Sequence, residues 1–408
     1  MPDGAHMSER LNERSVGALA GLKVIDLSRV LGGPFCTQML GDHGADVIKI
    51  EPPQGDETRG WGPFEHERSA YFGGVNRNKR NAAVDFSRPE GRDILLELLA
   101  TADVLVHNFK PGTLERWGLG YDEVLSQRFP RLIVCHITGF GADGPLGGLP
   151  GYDAAVQALA GCMSVNGSAE SGPTRIGVPI VDIGTGLNAV IAILLAVVER
   201  HRSGQGQMLD VALYDCALPF LHPYGAGLLQ AGHVPQRTGN EHPTIAPYEQ
   251  FETGAGLIFL CVGNDGQFAK LCATLGRPEI AKEARFGTNA SRVKHRKELR
   301  QLLEPLLKQH RADDLSTRLL RDGVPAGAVL DVPQVFAAPH TAHRQMIAEL
   351  PGYRAVGIPI KLSRTPGSVR IAPGSFGAKS RDICREAGLS EETIDHLIAQ
   401  GVILAGEE

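Results

Sequence analysis

Asp182 stands in Val178-Pro-Ile-Val-Asp-Ile-Gly-Thr-Gly186, immediately before the most apolar stretch of the chain, Leu187 to Val198. Two roles fit a carboxylate there. As a helix N-cap it would accept hydrogen bonds from orphan amides of the first turn and sit at the favourable positive end of the helix. As a nucleophile it would need no general base, because a side chain with the ordinary aspartate pKa of about 3.9 is ionised at neutral pH. A serine would need such a base, and an unperturbed cysteine is thiolate only to a few per cent.

Gly139-Phe-Gly-Ala-Asp-Gly144 has the form GxGxxG after an apolar strand, the spacing of a dinucleotide site. Pro145 and the glycines behind it keep a helix from starting there, so no helix N-terminus would face a pyrophosphate. A turn-rich loop holding backbone close to a ligand is the better reading. Arg77, Lys79, Arg80, Lys110 and Arg116 fall near predicted strand ends, where cations suit phosphates; the alternative for each is a solvated face. Tyr152 reads as a half-buried loop aromatic. GxxxxGK[ST], GxSxG and HExxH are all absent, and no spacing suggests a metal site.

The elements that must hold these residues alternate. Strands are expected at Leu22 to Leu27, Val47 to Ile50, Val104 to Val106 and Leu132 to Ile137. Gly32-Gly33-Pro34 reads as a turn, with helices from Phe35 to Asp42, Pro89 to Ala100 and Tyr121 to Gln127. That order predicts a parallel α/β sheet. A long Gly- and Pro-rich loop follows Thr138, then a helix from about Ala154, a turn near Gly167 to Pro173 and a buried apolar helix after Asp182. From about Leu221 a smaller α+β domain is expected. It has a hairpin over Tyr248 to Gly263, helices at Gly266 to Leu275, Ser291 to Gln309 and Ala312 to Arg321, and short strands between Val324 and Gly374. A helical pair, Ser380 to Leu389 and Glu391 to Gln400, ends the chain.

The 408 residues suffice for two or three domains at roughly 150 residues each. A net charge of -5 offers no basic field for nucleic acid or an anionic membrane. The seven cysteines are scattered singly, without a CxxC pair, which suits reduced thiols in cytoplasm. The Leu187 to Val198 run is shorter than the roughly 20 residues a bilayer requires. Met1 to Met7 reads as an extension before a second start at Met7 and is set aside.

Taken in order, several motifs resemble those of the class III CoA-transferases, the CaiB/BaiF family that includes formyl-CoA transferase, carnitine CoA-transferase and α-methylacyl-CoA racemase. They are Val24-Ile-Asp-Leu-Ser-Arg-Val-Leu-Gly-Gly-Pro34, Ala45-Asp-Val-Ile-Lys-Ile-Glu51, Asn76-Arg-Asn-Lys-Arg80, Asn108-Phe-Lys-Pro-Gly112, Gly139-Phe-Gly141, Pro150-Gly-Tyr-Asp153 and Asp182-Ile-Gly-Thr-Gly186. The likeness runs from Gly21 over nearly the whole chain.

It implies an α/β fold with a Rossmann-like CoA-binding large domain over residues 20–220. A linker and small α+β domain would occupy 221–335, and 336–408 would return to the large domain, in an interlocked homodimer. It also implies an acyl-CoA:carboxylate transferase, acyl-CoA and a small carboxylate being its substrates, with no permanently bound cofactor and no metal. Exchange of one thioester for another needs no ATP, consistent with the missing phosphate loop.

In the resemblance Asp182 attacks the donor thioester to form an anhydride and then an aspartyl-CoA thioester. The backbone of Val84, Asp85 and Ser87 would follow the adenosine, Asn108, Lys110 and Arg116 the ribose and phosphates, and Gly151 with Tyr152 the pantetheine. A glutamine that contacts CoA in the family is Leu31 here. The racemase branch carries a histidine where this chain has Tyr152, which disfavours α-proton exchange. Formate and oxalate users carry a glycine run where this chain reads Arg237-Thr-Gly-Asn-Glu-His-Pro-Thr-Ile-Ala-Pro-Tyr248. Gly239-Asn-Glu-His-Pro243 looks like the succinyl-CoA:hydroxymethylglutarate branch, which implies dicarboxylates, with His242 and Tyr248 as substrate contacts. The alternatives are an acyl-CoA racemase, a non-catalytic acyl-CoA-binding paralogue and, from GxGxxG alone, an NAD oxidoreductase.

Overall fold

The computed structural model describes residues 17–406, so the Met1 to Met7 extension lies outside the described residues. The chain divides into two compact units: one runs to Gly161 and adds Ile176–Gly225 and the segment from His340, and the other is Cys162–Arg175 with Ala226–Pro339.

Six parallel strands build the first unit: β1 (Lys23–Asp26), β2 (Asp46–Glu51), β3 (Lys79–Val84), β4 (Val104–His107), β5 (Ile133–Thr138) and β6 (Met208–Ala212). Their spatial order is 3-2-1-4-5-6, and β7 (Ile403–Leu404) is added antiparallel along β3. This is the doubly wound Rossmann order, whose direction of winding reverses between β1 and β4 and opens a crevice at the strand C-termini. Ile25, Ile48, Val84, Leu105 and Val134 pack one face of the sheet against Ile94, Leu95 and Leu98 of the helix Pro89–Leu99 and against Ile383 and Ile394 of the closing helical pair. β3 was not anticipated, because Lys79-Arg80-Asn81 reads as a polar surface. Nor were β6, which Asp210 interrupts with a charge, and the two-residue β7 anticipated.

The expected Gly32-Gly33-Pro34 turn is instead the first turn of helix α1 (Gly32–Asp42). Proline is tolerated there because amides of the first turn have no intrahelical acceptor. Helix α2 (Asp153–Leu159) follows the long loop, and α3 (Ile180–Ser203) packs against α1.

By length and composition α3 could cross a bilayer, yet Gly184, Gly186, Ala189, Ile193 and Ala196 form a face buried within the unit. The helix is not buried all round, as its apolar run suggested. Leu187, Ile191, Leu195 and Val198 stand on its other side, 41 to 65% exposed, because their spacing puts them on a separate stripe. A Cβ at Gly186 would lie 2.7 Å from the Gly32 carbonyl oxygen and 2.9 Å from the Phe35 ring. Gly186→Ala is therefore expected to destabilise the protein by about 1–3 kcal/mol through overpacking, measurable as a lowered urea midpoint; an unchanged midpoint would mean that α1 yields without cost.

The second unit folds three antiparallel strands, Tyr248–Glu252, Leu257–Cys261 and Ala326–Ala328, against the helices Asp265–Thr274, Arg296–Leu307 and Ala312–Arg321. The helix expected over Ser291 to Gln309 breaks at His295 into Asn289–Lys294 and Arg296–Leu307. Val332–Ala337 is the last helix of this unit, since the chain from His340, with the strands Ile347–Leu350 and Tyr353–Val356, belongs to the other. Gly239 N donates to Gly167 O, and Arg237 donates to the carbonyls of Ser164 and Ser168, which ties 162–175 into this unit.

Candidate active site

Asp182 is the third residue of α3, beyond the N-cap position, which Pro179 occupies without a side-chain hydrogen bond. The capping expected of it is done by Asp153. This buried carboxylate accepts from the backbone N–H of Val181 at 2.8 Å and of Asp182 at 3.1 Å through Oδ2, and from Gln157 Nε2 at 2.7 Å through Oδ1. A tied carboxylate thus caps the helix and leaves the Asp182 side chain for other work.

Burial, and then the neighbouring Asp153 charge, push the Asp182 carboxyl up from 3.8 to about 7. The expectation of a fully ionised aspartate is corrected accordingly: near pH 7 the proton is shared about equally between bound and free states. The main chain of Gly32 closes on the same group. A Cβ there would be 3.3 Å from Asp182 O and 3.6 Å from Asp182 Oδ1, so the α1 N-terminus and the carboxylate occupy one corner.

That corner belongs to an open cavity of about 730 Å³ at the switch point of the sheet. The loops after β1 (Arg29 to Gly33) and β4 (Asn108 to Pro111) form its sides, the Asp85–Ser87 turn one end, and Gly139, Gly151 and Tyr152 another part of its rim. The volume lies in the range of ligand sites, and the place is where doubly wound sheets bind.

The GxGxxG stretch takes its place here without any helix. Gly139 and Gly151 cross so closely that a Cβ on either would come 2.8 Å from the other's Cα, while Gly141 and Gly144 adopt φ of 84° and 78°. The glycines serve a tight backbone crossing and left-handed turns.

Of the residues named from the sequence, Asp182, Asp85, Ser87, Asn108, Lys110, Gly151 and Tyr152 line this one cavity. Val84 has its side chain fully buried in the core just behind it. Asp85 Oδ1 accepts from Ser87 N at 2.9 Å and from Ser87 Oγ, and Asp85 N donates to Val402 O, so the returning C-terminal segment holds this turn. Both polar atoms of the Asn108 amide are engaged by Arg29: Oδ1 accepts from its N–H at 3.0 Å, and Nδ2 donates to its carbonyl at 2.8 Å. Asn108 thereby shapes the wall as well as lining it. Arg116 is exposed outside the lining residues and donates to Thr113 Oγ1.

His242 and Tyr248 are in the second unit, their rings 5.1 Å apart. Burial and the Arg296 charge lower the His242 pKa, and Thr244 N donates to its Nδ1 at 3.2 Å.

The surface cations expected at Arg77, Lys79 and Arg80 are corrected. Arg77 forms a buried bidentate pair with Asp42, Lys79 is wholly buried on Asp26, and Arg80 bridges Asp46 and Glu386. Intramolecular acids have taken the charges offered to phosphate.

Two groups escaped notice in the sequence. Phe86, Phe109 and Trp117 make a contiguous aromatic wall, with Trp117 centroids 6.3 Å from Phe86 and 5.2 Å from Phe109. Tyr71 is half-buried, and burial followed by the charges of Asp182, Asp153 and Asp56 raises its phenol pKa. Neither has a spacing signal, since each is assembled by separate loops.

Fold and crevice together define a Rossmann-like α/β protein whose ligand cavity holds a carboxylate of raised pKa. Comparison with known proteins gives the family. CoA-transferase family III matches residues 19–380. The succinate–glutarate CoA-transferase of Agrobacterium fabrum is 42% identical over 391 residues, 92% of this chain and 97% of the relative. The acetyl-CoA:oxalate CoA-transferase of Acetobacter aceti is 39% identical over 359 residues, covering 88% and 92%. A crystal structure of a CaiB/BaiF family protein from Brucella suis superposes with a TM-score of 0.84 at 42% identity, covering 91% of this chain and 99% of that one. The chain belongs to CoA-transferase family III, and this membership supports CoA-transferase activity on acyl-CoA and carboxylate substrates.

Proposed function

We propose that this protein transfers CoA from a donor such as succinyl-CoA to a small dicarboxylate, with Asp182 as the group that is acylated. The observation that carries the reading is the division of labour between two aspartates: Asp153 caps α3, and Asp182 faces the crevice uncommitted.

Ionised Asp182 attacks the donor thioester carbonyl, and CoA thiolate leaves a mixed anhydride. The thiolate then attacks the aspartyl carbonyl, giving an aspartyl-CoA thioester and releasing the donor carboxylate. The acceptor carboxylate attacks that thioester, expelling the thiolate again. Attack of the thiolate on the acceptor's acyl carbon produces the new acyl-CoA and restores Asp182. To the corner that Asp182 shares with the Gly32 main chain we assign the stabilisation of each tetrahedral oxyanion.

The aromatic wall and the Asp85–Ser87 turn suit an adenine, and exposed Lys110 at the same cavity suits phosphates. A dicarboxylate acceptor is supported by both named relatives, a succinate–glutarate and an acetyl-CoA:oxalate CoA-transferase. The second of these puts oxalate back among the candidates despite the missing glycine run. To His242, whose neutral ring accepts at Nδ1 and so presents Nε2–H as a donor, and to Tyr248 we assign substrate contacts. The exposed Leu187, Ile191, Leu195 and Val198 stripe supports a homodimer, and seven cysteines in the reduced state suit a cytoplasmic protein.

The test is to incubate the purified protein with succinyl-CoA and, one at a time, glutarate, hydroxymethylglutarate, oxalate and a monocarboxylate, following acyl-CoA products by chromatography. A new acyl-CoA formed only with a dicarboxylate supports the reading. Deuterium wash-in at the α-carbon without CoA exchange would replace it with the racemase alternative.

A further inference from the structure

Beneath the cavity lies a set of charges that the chemistry above does not use. Lys49, Lys79, Asp26, Glu51 and Asp56 are each no more than 1% exposed, and Arg59 closes the set from its edge. Three cations thus face three carboxylates, and the group is neutral as a whole. Lys79 Nζ donates to Asp26 Oδ2 at 3.0 Å, Lys49 Nζ to Asp56 Oδ2 at 3.1 Å, and Arg59 binds Glu51 through Nε at 2.8 Å and Nη2 at 2.7 Å. Glu51 Oε2 also accepts from Asp56 N at 2.9 Å, which joins two of the pairs, and Lys79–Asp26 meets them at the Ser28 main chain.

Other bonds of the set go to Thr37, Pro34, Asn76, Thr58, Asn81 and Gly374, but three more meet in the turn after β1. Lys49 Nζ donates to the Ser28 carbonyl at 2.7 Å, Asp26 Oδ1 accepts from Ser28 N at 2.9 Å, and Asp56 Oδ1 accepts from Val30 N at 3.4 Å. The turn gripped in this way contains a strained residue. Val30 has φ of 72°, a left-handed conformation that a β-branched side chain avoids. Two residues on, Gly32 abuts Asp182.

From this geometry we infer that Lys49, Asp56 and Asp26 are positioning residues, which force the Ser28–Gly33 turn into its strained form and so set the distance between the CoA-binding wall and the Asp182 carboxylate. The inference rests on the transferase reading for its functional meaning, though the mechanical part stands apart from it. A buried ion network is a weak source of net stability, since its desolvation cost offsets its attraction. Its use here is to fix backbone atoms that an apolar cluster could not hold.

Two measurements test it. In the unaltered protein, hydrogen exchange resolved to single amides is expected to find Ser28 and Val30 as slow as the amides of β1, within about tenfold. Exchange some hundredfold or more faster than β1 would mean that the network does not hold the turn, and would overturn the inference. The second measurement uses Lys49→Met/Asp56→Asn, which removes one charge of each sign and keeps the set neutral. Its melting temperature is expected to stay near that of the parent, while the Kd for coenzyme A rises at least about tenfold, as displacement of a binding wall would produce. A folded double variant with unchanged affinity would overturn the inference. A parent protein that takes up no coenzyme A would count against the transferase reading instead, and the exchange result alone would then decide the role of the network.

Discussion

Replacing Asp182 by asparagine is expected to lower kcat by at least about 10⁴-fold, the scale on which loss of a covalent nucleophile is felt, while making the protein more stable at neutral and alkaline pH. The first effect follows from chemistry: an amide is too poor a nucleophile to open a thioester. The second follows from linkage. With its pKa raised from 3.8 unfolded to about 7 folded, the folded state holds a proton that the unfolded state has lost across that interval. Stability therefore falls as pH rises from 3.8 to about 7 and levels off above it. The full loss is roughly 4 kcal/mol as an upper figure, taken as the pKa difference times about 1.4 kcal/mol per unit. Asp182→Asn removes the slope, so its melting temperature should exceed the parent's at pH 8 and converge with it near pH 4. A helix cap would behave differently: asparagine caps about as well as aspartate, so both activity and stability would barely move. A stabilised, inactive variant is the pattern of a site held in an unfavourable charge state for function.

The pH dependence of the parent enzyme supplies the second large effect. Only ionised Asp182 attacks, so kcat/KM for the donor should rise about tenfold per unit below a midpoint near 7 and flatten above it. Burial is the larger cause of that midpoint and the Asp153 charge the smaller. Asp153→Asn keeps an oxygen to accept from Val181 N and Asp182 N while deleting the charge, and is expected to move the midpoint toward acid without abolishing activity. A midpoint that stays in place would show that the two carboxylates are not electrostatically coupled. A profile with a midpoint near 4 in the parent would show Asp182 to be an ordinary solvated carboxylate.

Much of the fold was legible because apolar period and turn chemistry coincide. Leu22 to Leu27 and Val47 to Ile50 read as strands, and Pro89 to Ala100 as a helix, from local pattern alone. The missing strand β3 shows the limit of such reading. Lys79, Arg80 and Asn81 open it with charge, and only partners distant in sequence, among them Asp26, Asp46 and Glu51, make those residues strand-compatible. The same blindness turned Arg77 and Lys79 into expected phosphate ligands.

At the site, Asp182 was visible as a carboxylate among small residues. Its raised pKa was not, because the larger cause is burial in the fold and the smaller is Asp153, brought against it from 29 positions away along the chain. The glycines of Asp182-Ile-Gly-Thr-Gly186 have a steric role: Gly184 and Gly186 let Phe220 and α1 approach the helix. Strain at Val30 has no sequence signal at all, since valine is a residue one would not place at positive φ.

The most direct measurement is mass spectrometry of the protein mixed with succinyl-CoA, quenched in acid and mapped by peptides, alongside Asp182→Asn. The expected result is a CoA-sized or succinyl-sized increment confined to the peptide containing Asp182, discharged on adding a dicarboxylate and absent from the variant. Turnover of donor and acceptor with no increment on that peptide, or with an equal increment in Asp182→Asn, would contradict a covalent route through Asp182.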